Sequence, residues 1–307
     1  MTKTPFSINS FEDDHLAGYI WQPDSMENLN GIVVISHGMA EVIERYDAFC
    51  MHLCEKNFVI YGVNQRGHGP NAQMLGYLGE DGWYKMKEDL KHIVEYAKSN
   101  IPDKPCYVLG HSMGSFVVRD FLIDYSYLVN AVILSGTGFP PSLPIKFGKW
   151  LASNDMKKHG PKHINTFIDK MVFGNYNKKI ESPKTPFDWL SRDSEIVNDY
   201  IQNPYCGVIH PSSFFYLFFS AIQRITQSIP FNNFKPSIPM LLISGDSDPV
   251  GDYGKGVKKS AEFYKTIGFN AEVKLFKDGR HEMLNEINRV EVFETISDWL
   301  LKQSTSD

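Results

Sequence analysis

The sequence predicts an α/β protein, a mostly parallel central sheet covered by helices on both faces. Three observations predict it. Short apolar runs alternate with helical segments through the first and last parts of the chain, the pattern of parallel strands joined by crossover helices. One such run, 106–109, meets a helical segment through Gly110-His111-Ser112-Met113-Gly114, the G-x-S-x-G of a tight strand-to-helix turn. From 139 to 236 the alternation stops, prolines recur, and only helical pieces can be discerned.

Taken in order, residues 5–10 and 16–21 read as an opening antiparallel pair. Runs at 32–36, 58–63, 107–109, 131–135, 240–244 and 272–276 read as strands. Helices are expected at 42–56, 82–99, 113–125, 254–267 and 287–302. The interval 139–236 carries helical pieces near 145–157, 162–173, 192–202 and 212–227. Seventeen of its 98 residues are aromatic, a share above the 13% of the whole chain, which suggests an apolar cavity wall. Its most apolar stretch is 213–222. As a helix it places Phe214, Leu217 and Phe218 on one face and Phe215, Phe219 and Ile222 on another, so both sides must be buried.

Composition narrows the classes. A chain of 307 residues accommodates one large α/β domain with an insertion. A net charge of −5 argues against nucleic-acid binding, and no Lys/Arg cluster marks an anionic-membrane anchor. The first eleven residues lack the apolar stretch of a signal peptide, so a soluble cytoplasmic protein with reduced thiols is expected. Cys50 and Cys54, four apart on an expected helix, read as small packing residues.

Glycines two residues either side of Ser112 fit a turn too tight for flanking Cβ atoms. Where such an element carries a catalytic triad, the chain order is serine, acid, histidine. Nine of the ten histidines precede residue 248, which leaves His281 as the base. Asp246 and Asp248 compete for the acid in the loop after 240–244. Asp248 is preferred, because Pro249 stiffens the turn directly after it.

These motifs resemble those of the serine α/β-hydrolases of the monoacylglycerol lipase and lysophospholipase group. The resemblance covers nearly the whole chain. It rests on Ser36-His37-Gly38-Met39-Ala40-Glu41 with Arg45-Tyr46, Arg66-Gly67-His68-Gly69, the G-x-S-x-G, Gly245-Asp246-Ser247-Asp248-Pro249-Val250, and Arg280-His281-Glu282-Met283-Leu284-Asn285-Glu286. It implies an α/β-hydrolase fold with a core of 1–138 and 237–307 and a helical cap, 139–236, inserted after strand six. It also implies Asp248 as the acid, three residues after the loop glycine. The oxyanion hole would be formed by the backbone N–H groups of Met39 and Met113. Asn64 replaces an aspartate usual in the group, and Pro70-Asn71 stand where a serine is frequent.

The implied activity is hydrolysis of monoacylglycerol- or lysophospholipid-type carboxylic esters through an acyl-enzyme, with a small ester or lipid as substrate and a micelle or membrane surface as a transient partner. Phe214, Leu217 and Phe218 are the candidate substrate-binding residues. His111 is expected to support the oxyanion loop through Glu41 or Arg45, and His37, Arg66 and His68 to be structural. His159, His163 and His210 are not read as metal ligands, and no cofactor is expected. An amidase or aminopeptidase on the same triad is the alternative; it would need a carboxylate such as Glu181, Asp188 or Glu195 for a substrate amine. A non-catalytic ligand-binding module is the other. Epoxide hydrolase chemistry is disfavoured, because the turn carries Ser112 rather than aspartate.

Overall fold

The structure, a computed structural model, describes residues 1–11, 15–227, 231 and 237–304. Eight strands form one sheet: β1 (Thr2–Asn9), β2 (His15–Gln22), β3 (Gly31–Ser36), β4 (Phe58–Val63), β5 (Cys106–His111), β6 (Ala131–Ser135), β7 (Pro239–Gly245) and β8 (Asn270–Phe276). Their order is β1-β2-β4-β3-β5-β6-β7-β8. The β1–β2 hairpin pairs antiparallel onto β4, and every other pairing is parallel.

Strict alternation within the parallel strands builds a core on each face. Ile32, Val34, Val108, Val132, Leu134, Met240 and Leu242 point to one face. There α2 (Gly82–Asn100), α3 (Met113–Tyr125) and α8 (Lys255–Ile267) cover them. Val33, Ile35, Leu109, Ile133, Leu241 and Ile243 point to the other, under α1 (Asp47–Glu55) and α9 (Arg289–Ser304). Cys50 and Cys54 are buried in this second core as free thiols. No helix among the described residues is long and apolar enough to cross a membrane.

Between β6 and β7 lie α4 (Ser142–His159), α5 (Thr166–Phe173), α6 (Ser194–Gln202) and α7 (Ser212–Ile225). The expected end of this insertion, at 236, falls outside the described residues. Two expected helices begin four or more residues later than anticipated. The segment read as one helix over 42–56 starts as a 3₁₀ turn at Ile43–Tyr46, and α5 starts at Thr166 rather than 162. In the second case Gly160, at φ 90°, turns the chain, and Asn165 caps the new helix by accepting from the Phe167 N–H. Arg224 fastens α7 to the core through Asp120 at 2.6 Å and Asp124 at 3.1 Å, both on α3.

Beyond the ends of β3 and β4, three buried histidines lie in a row. The His37 and His68 rings are 5.1 Å apart, and His68 and His210 are 5.4 Å apart with their Nε2 atoms 3.4 Å from each other. Each Nδ1 donates to a backbone carbonyl, of Gly38, Arg66 and Val208 respectively. Burial drives all three below the ordinary histidine value, His37 to about 4 and the other two to about 3. Burial thus favours the neutral form of all three rings.

Two outcomes are expected. Ile133→Ala, in the fully buried centre of the sheet, should lower unfolding free energy by about 2–5 kcal/mol in urea titration. Leu143→Ala, 77% exposed, should change it by less than about 0.5 kcal/mol. The histidine row makes a separate prediction. A histidine whose folded pKa is depressed binds fewer protons folded than unfolded. Its contribution is therefore complete above the unfolded value of 6.5 and is lost as pH falls towards 3 to 4. His210→Asn should reduce the slope of stability against pH below 6.5 by up to about 1.4 kcal/mol per pH unit; an unchanged slope would show that the ring is not held neutral.

Candidate active site

Ser112 joins β5 to α3 at φ 49° and ψ −119°, a conformation costly for any residue with a side chain. The neighbouring glycines explain how it persists. A Cβ on Gly110 would lie 2.6 Å from the Gly114 carbonyl oxygen, and one on Gly114 would strike the Ser36 carbonyl oxygen of β3. The Ser112 N–H donates to the Ser135 carbonyl at 2.8 Å, which binds the turn to β6. Met113 is the first residue of α3, so its N–H has no intrahelical acceptor and sits at the positive end of the helix.

Asp248 and His281 come together after β7 and β8. His281 Nδ1 lies 3.0 Å from both carboxylate oxygens of Asp248. Asp248 also accepts from the Val250 N–H at 2.9 Å and the Ser244 hydroxyl at 3.0 Å. Both side chains are buried. Burial alone would raise the Asp248 carboxyl, but the His281 ring and these donors outweigh it and hold it below its usual value. Burial likewise pushes His281 down, and the Asp248 carboxylate outweighs that and holds the imidazole above its usual value. Asp246, by contrast, is exposed and accepts from the Asp278 N–H, a turn contact away from His281.

Ser112, His281, Met39 and Met113 line one cavity of about 950 Å³. Phe116 and Met113 come from the core; Ile145, Met171, Phe173, Trp189, Phe218 and Ile222 come from the insertion. The walls are mainly apolar, and the volume is at the upper end for small-molecule sites. Of the three expected substrate residues, Phe218 lines the cavity and Phe214 and Leu217 do not. Phe214 is fully buried on the opposite side, its ring edge-on to His210 at 4.2 Å. Phe219 and Ile222, assigned to the other helix face, reach the cavity instead.

A buried ion-pair network holds the loops around the cavity. Arg45 donates to Glu41 at 2.7 Å and to both oxygens of Glu282, at 2.6 and 2.5 Å. Glu41 in turn accepts from the Gly38 N–H at 2.5 Å and the Tyr46 hydroxyl at 2.8 Å. The loop carrying Met39 is thereby tied to the loop carrying His281. The latter is tied to the insertion as well: the His281 and Glu282 N–H groups donate to the Trp189 and Leu190 carbonyls, and Arg280 donates to those of Asp188 and Ser191. His111 contacts neither Glu41 nor Arg45 by hydrogen bond, contrary to expectation. Its Nδ1 meets the Ser135 hydroxyl at 3.2 Å, because a residue ending β5 faces its neighbour in β6.

Sequence reasoning missed several contributors. Trp189 lies 4.9 Å from the His281 ring, and Gly136, at φ 60°, leaves the space that His281 and His111 fill; a Cβ there would be 2.9 Å from His281 Cε1. The only prior signal was a glycine directly after a strand. Asn64 suits its position, since its amide nitrogen faces Glu44 while its oxygen accepts from the Ile43 N–H; an aspartate would set two carboxylates together. Glu181, Asp188 and Glu195 do not line the cavity. Asp155, His159 and His163 gather on the insertion, although the histidines were given no metal-binding role.

Comparison with known proteins agrees with the architecture. A curated monoacylglycerol lipase from Mycolicibacterium smegmatis is 25% identical over 92% of this chain and 91% of its own length. A probable lysophospholipase L2 from Haemophilus influenzae is 21% identical over 93% and 88%. A solved carboxyl esterase from Bacillus coagulans, in complex with glycerol, superposes with a TM-score of 0.88 at 27% identity, covering 99% of this chain and all of that one. The fold is the α/β-hydrolase fold. The Hydrolase_4 family model, described as "Serine aminopeptidase, S33", matches residues 27–288. That span takes in the whole parallel sheet and every residue lining the cavity, and the chain belongs to this family.

Proposed function

We propose that the protein is a serine ester hydrolase that cleaves monoacylglycerol- or lysophospholipid-type esters through an acyl-enzyme on Ser112. The observation that carries this reading is His281, held by the buried Asp248 and lining the same apolar cavity as Ser112. Relatives named monoacylglycerol lipase and lysophospholipase support the substrate class.

His281, held by Asp248, takes the Ser112 proton as the oxygen attacks the acyl carbon, then returns it to the leaving alcohol. Asp248 keeps the imidazole in the Nδ1–H tautomer and stabilises the imidazolium. The backbone N–H groups of Met113 and Met39 receive the oxyanion, and a water hydrolyses the acyl-enzyme by the same steps in reverse. The helices of 139–236 serve as the cap and supply the acyl-chain wall through Phe218, Phe219 and Ile222. Leu143, Phe147, Trp150, Ile164 and Phe167 are exposed on α4, α5 and the loop between them, and Phe147 also lines the cavity. This apolar face is the surface that meets a micelle or bilayer edge. An aminopeptidase would need an available carboxylate for the substrate amine. Glu41 and Glu282 are engaged by Arg45, and burial pushes Asp169, also on the wall, towards its neutral form.

A fluorophosphonate probe should add once per chain, at Ser112, and not at all to Ser112→Ala. Ser112→Ala and His281→Ala should each lower kcat by about 10⁴-fold or more, with little further loss in the double variant. Additive losses would sink the nucleophile–base assignment. Asp248→Asn should lose on the order of 10⁴-fold and Asp246→Asn less than about tenfold.

Acyl-chain length gives an independent test. Each methylene entering the apolar wall contributes about 0.8 kcal/mol, so four more carbons should raise kcat/KM by up to about 100-fold. Medium-chain monoesters should outperform acetate and butyrate esters, and Phe218→Ala should flatten that gradient. A profile peaking at acetate excludes a long acyl channel.

A further inference from the structure

On the insertion, away from the proposed chemistry, one carboxylate receives two imidazoles. Asp155 and His159 are four residues apart on the last turns of α4, so they share a face. Gly160 ends the helix and Pro161 follows, which reverses the chain and brings His163 back over the same turn. His159 Nδ1 lies 3.1 Å from one Asp155 oxygen, and His163 Nδ1 lies 2.8 Å from the other. The two rings are 4.4 Å apart. The carboxylate is almost buried, with its side chain 7% exposed, while the imidazoles are 40% and 39% exposed. A small cation therefore has an entry path.

We propose that Asp155, His159 and His163 form a binding site for a divalent transition-metal ion of the zinc class. The chemistry of the donors selects the ion. Two neutral imidazoles and one carboxylate suit Zn²⁺ or Co²⁺, whereas Mg²⁺ and Ca²⁺ prefer oxygen donors alone. Geometry is close to what is required. One donor atom from each residue lies within 4.8 Å of the others. Bonds of about 2.0–2.1 Å in a tetrahedron need separations of roughly 3.3 Å. The histidine contacts, 3.1 Å to one carboxylate oxygen and 2.8 Å to the other, are a few tenths of an ångström shorter, so the part-exposed rings swing outward slightly to admit the ion. Each imidazole passes its proton from Nδ1 to the exposed Nε2 through solvent, so that the Nδ1 lone pair faces the ion, and the fourth position is left to water. Ser212 Oγ and Asn165 Nδ2 also donate to Asp155, at 2.5 and 2.8 Å, and orient the carboxylate as outer partners orient a ligand.

The position gives the site a consequence. Asn165 caps α5, and the Ser212 and Ser213 N–H groups at the start of α7 donate to the His163 and Pro161 carbonyls. An ion here joins the end of α4 to the beginnings of α5 and α7, and both of those helices wall the cavity.

Isothermal titration of the metal-free full chain with Zn²⁺ near neutral pH tests the proposal. One ion per chain should bind, with Ca²⁺ and Mg²⁺ giving no heat. His159→Gln and His163→Gln should each weaken binding by about 10–100-fold, and the double variant should abolish it. Asp155 is kept intact because Ser212 and Asn165 depend on it, and circular dichroism confirms that the variants are folded. Zn²⁺ should raise Tm in the wild type and not in the double variant, and Co²⁺ should show the visible bands of a tetrahedral site. Absence of binding in the wild type, or binding that survives in the double variant, overturns the proposal.

Discussion

The close approach of α3 to β3 is the constraint on which the rest of the site depends. Gly114 brings the first turn of α3 against the Ser36 carbonyl, with no room for a Cβ. That contact exists only because β3 and β5 are parallel neighbours, in register from Ile32↔Cys106 to Ser36↔Gly110. The turn then has no relaxed conformation available, and Ser112 is held at positive φ. Backbone strain of this kind costs roughly 1–3 kcal/mol and persists only where the surroundings impose it. Here the imposing groups are a fully buried sheet and helix. The same approach brings the start of the loop after β3, at the Ser36 and His37 carbonyls, against the first turn of α3, and Met39 and Met113 line one cavity.

Positioning of the second half of the site falls to buried charge. Arg45 lies between Glu41 and Glu282 with both carboxylates within 2.7 Å. Burial works against Arg45, but Glu282 and Glu41 outweigh it and hold the guanidinium well above its usual value. Glu282, likewise penalised by burial, is held below its usual value by Arg45. Such a network contributes little net stability compared with apolar packing, because desolvation offsets most of the attraction. What it provides is geometry. Glu282 directly follows His281, and Glu41 holds the Gly38 N–H, so one guanidinium sets the spacing between His281 and the loop that carries Met39. Tyr200, from α6, stacks on that guanidinium at 4.8 Å and brings the insertion into the same arrangement.

The helices of the insertion are joined to the core through Arg224, through the loop around His281 and through the apolar faces of α7. Helix α7 leaves Tyr216, Ser220, Gln223 and Arg224 on a part-exposed stripe, and its buried faces meet the core, where Phe218 packs on Trp83 and Phe116, and α4, where Phe219 packs on Gly148. Residues from both of its apolar faces, Phe218 from one and Phe219 and Ile222 from the other, line the cavity, and a helical wheel cannot rank them. That is why Phe214 was expected on the cavity wall and is instead packed on His210.

The strands, the serine turn and the aspartate–histidine pair were legible in the sequence because each rests on local physics. Alternating Ile and Val residues fit only a sheet covered on both faces. Gly110 and Gly114 mark a turn that excludes Cβ atoms. The short loop 245–250 leaves Asp248 two residues from the N–H that it accepts. Residues that meet only after long-range closure were not legible. Glu282 and Arg45 are 237 positions apart, Trp189 reaches His281 from the insertion, and Asp155 gathers His163 across a glycine–proline reversal that helical spacing does not describe. Local sequence dictates backbone conformation and which face a side chain takes. Which distant side chains share a buried volume is decided by how the elements pack, because that choice is made by steric fit and desolvation over the whole tertiary structure rather than by any one segment.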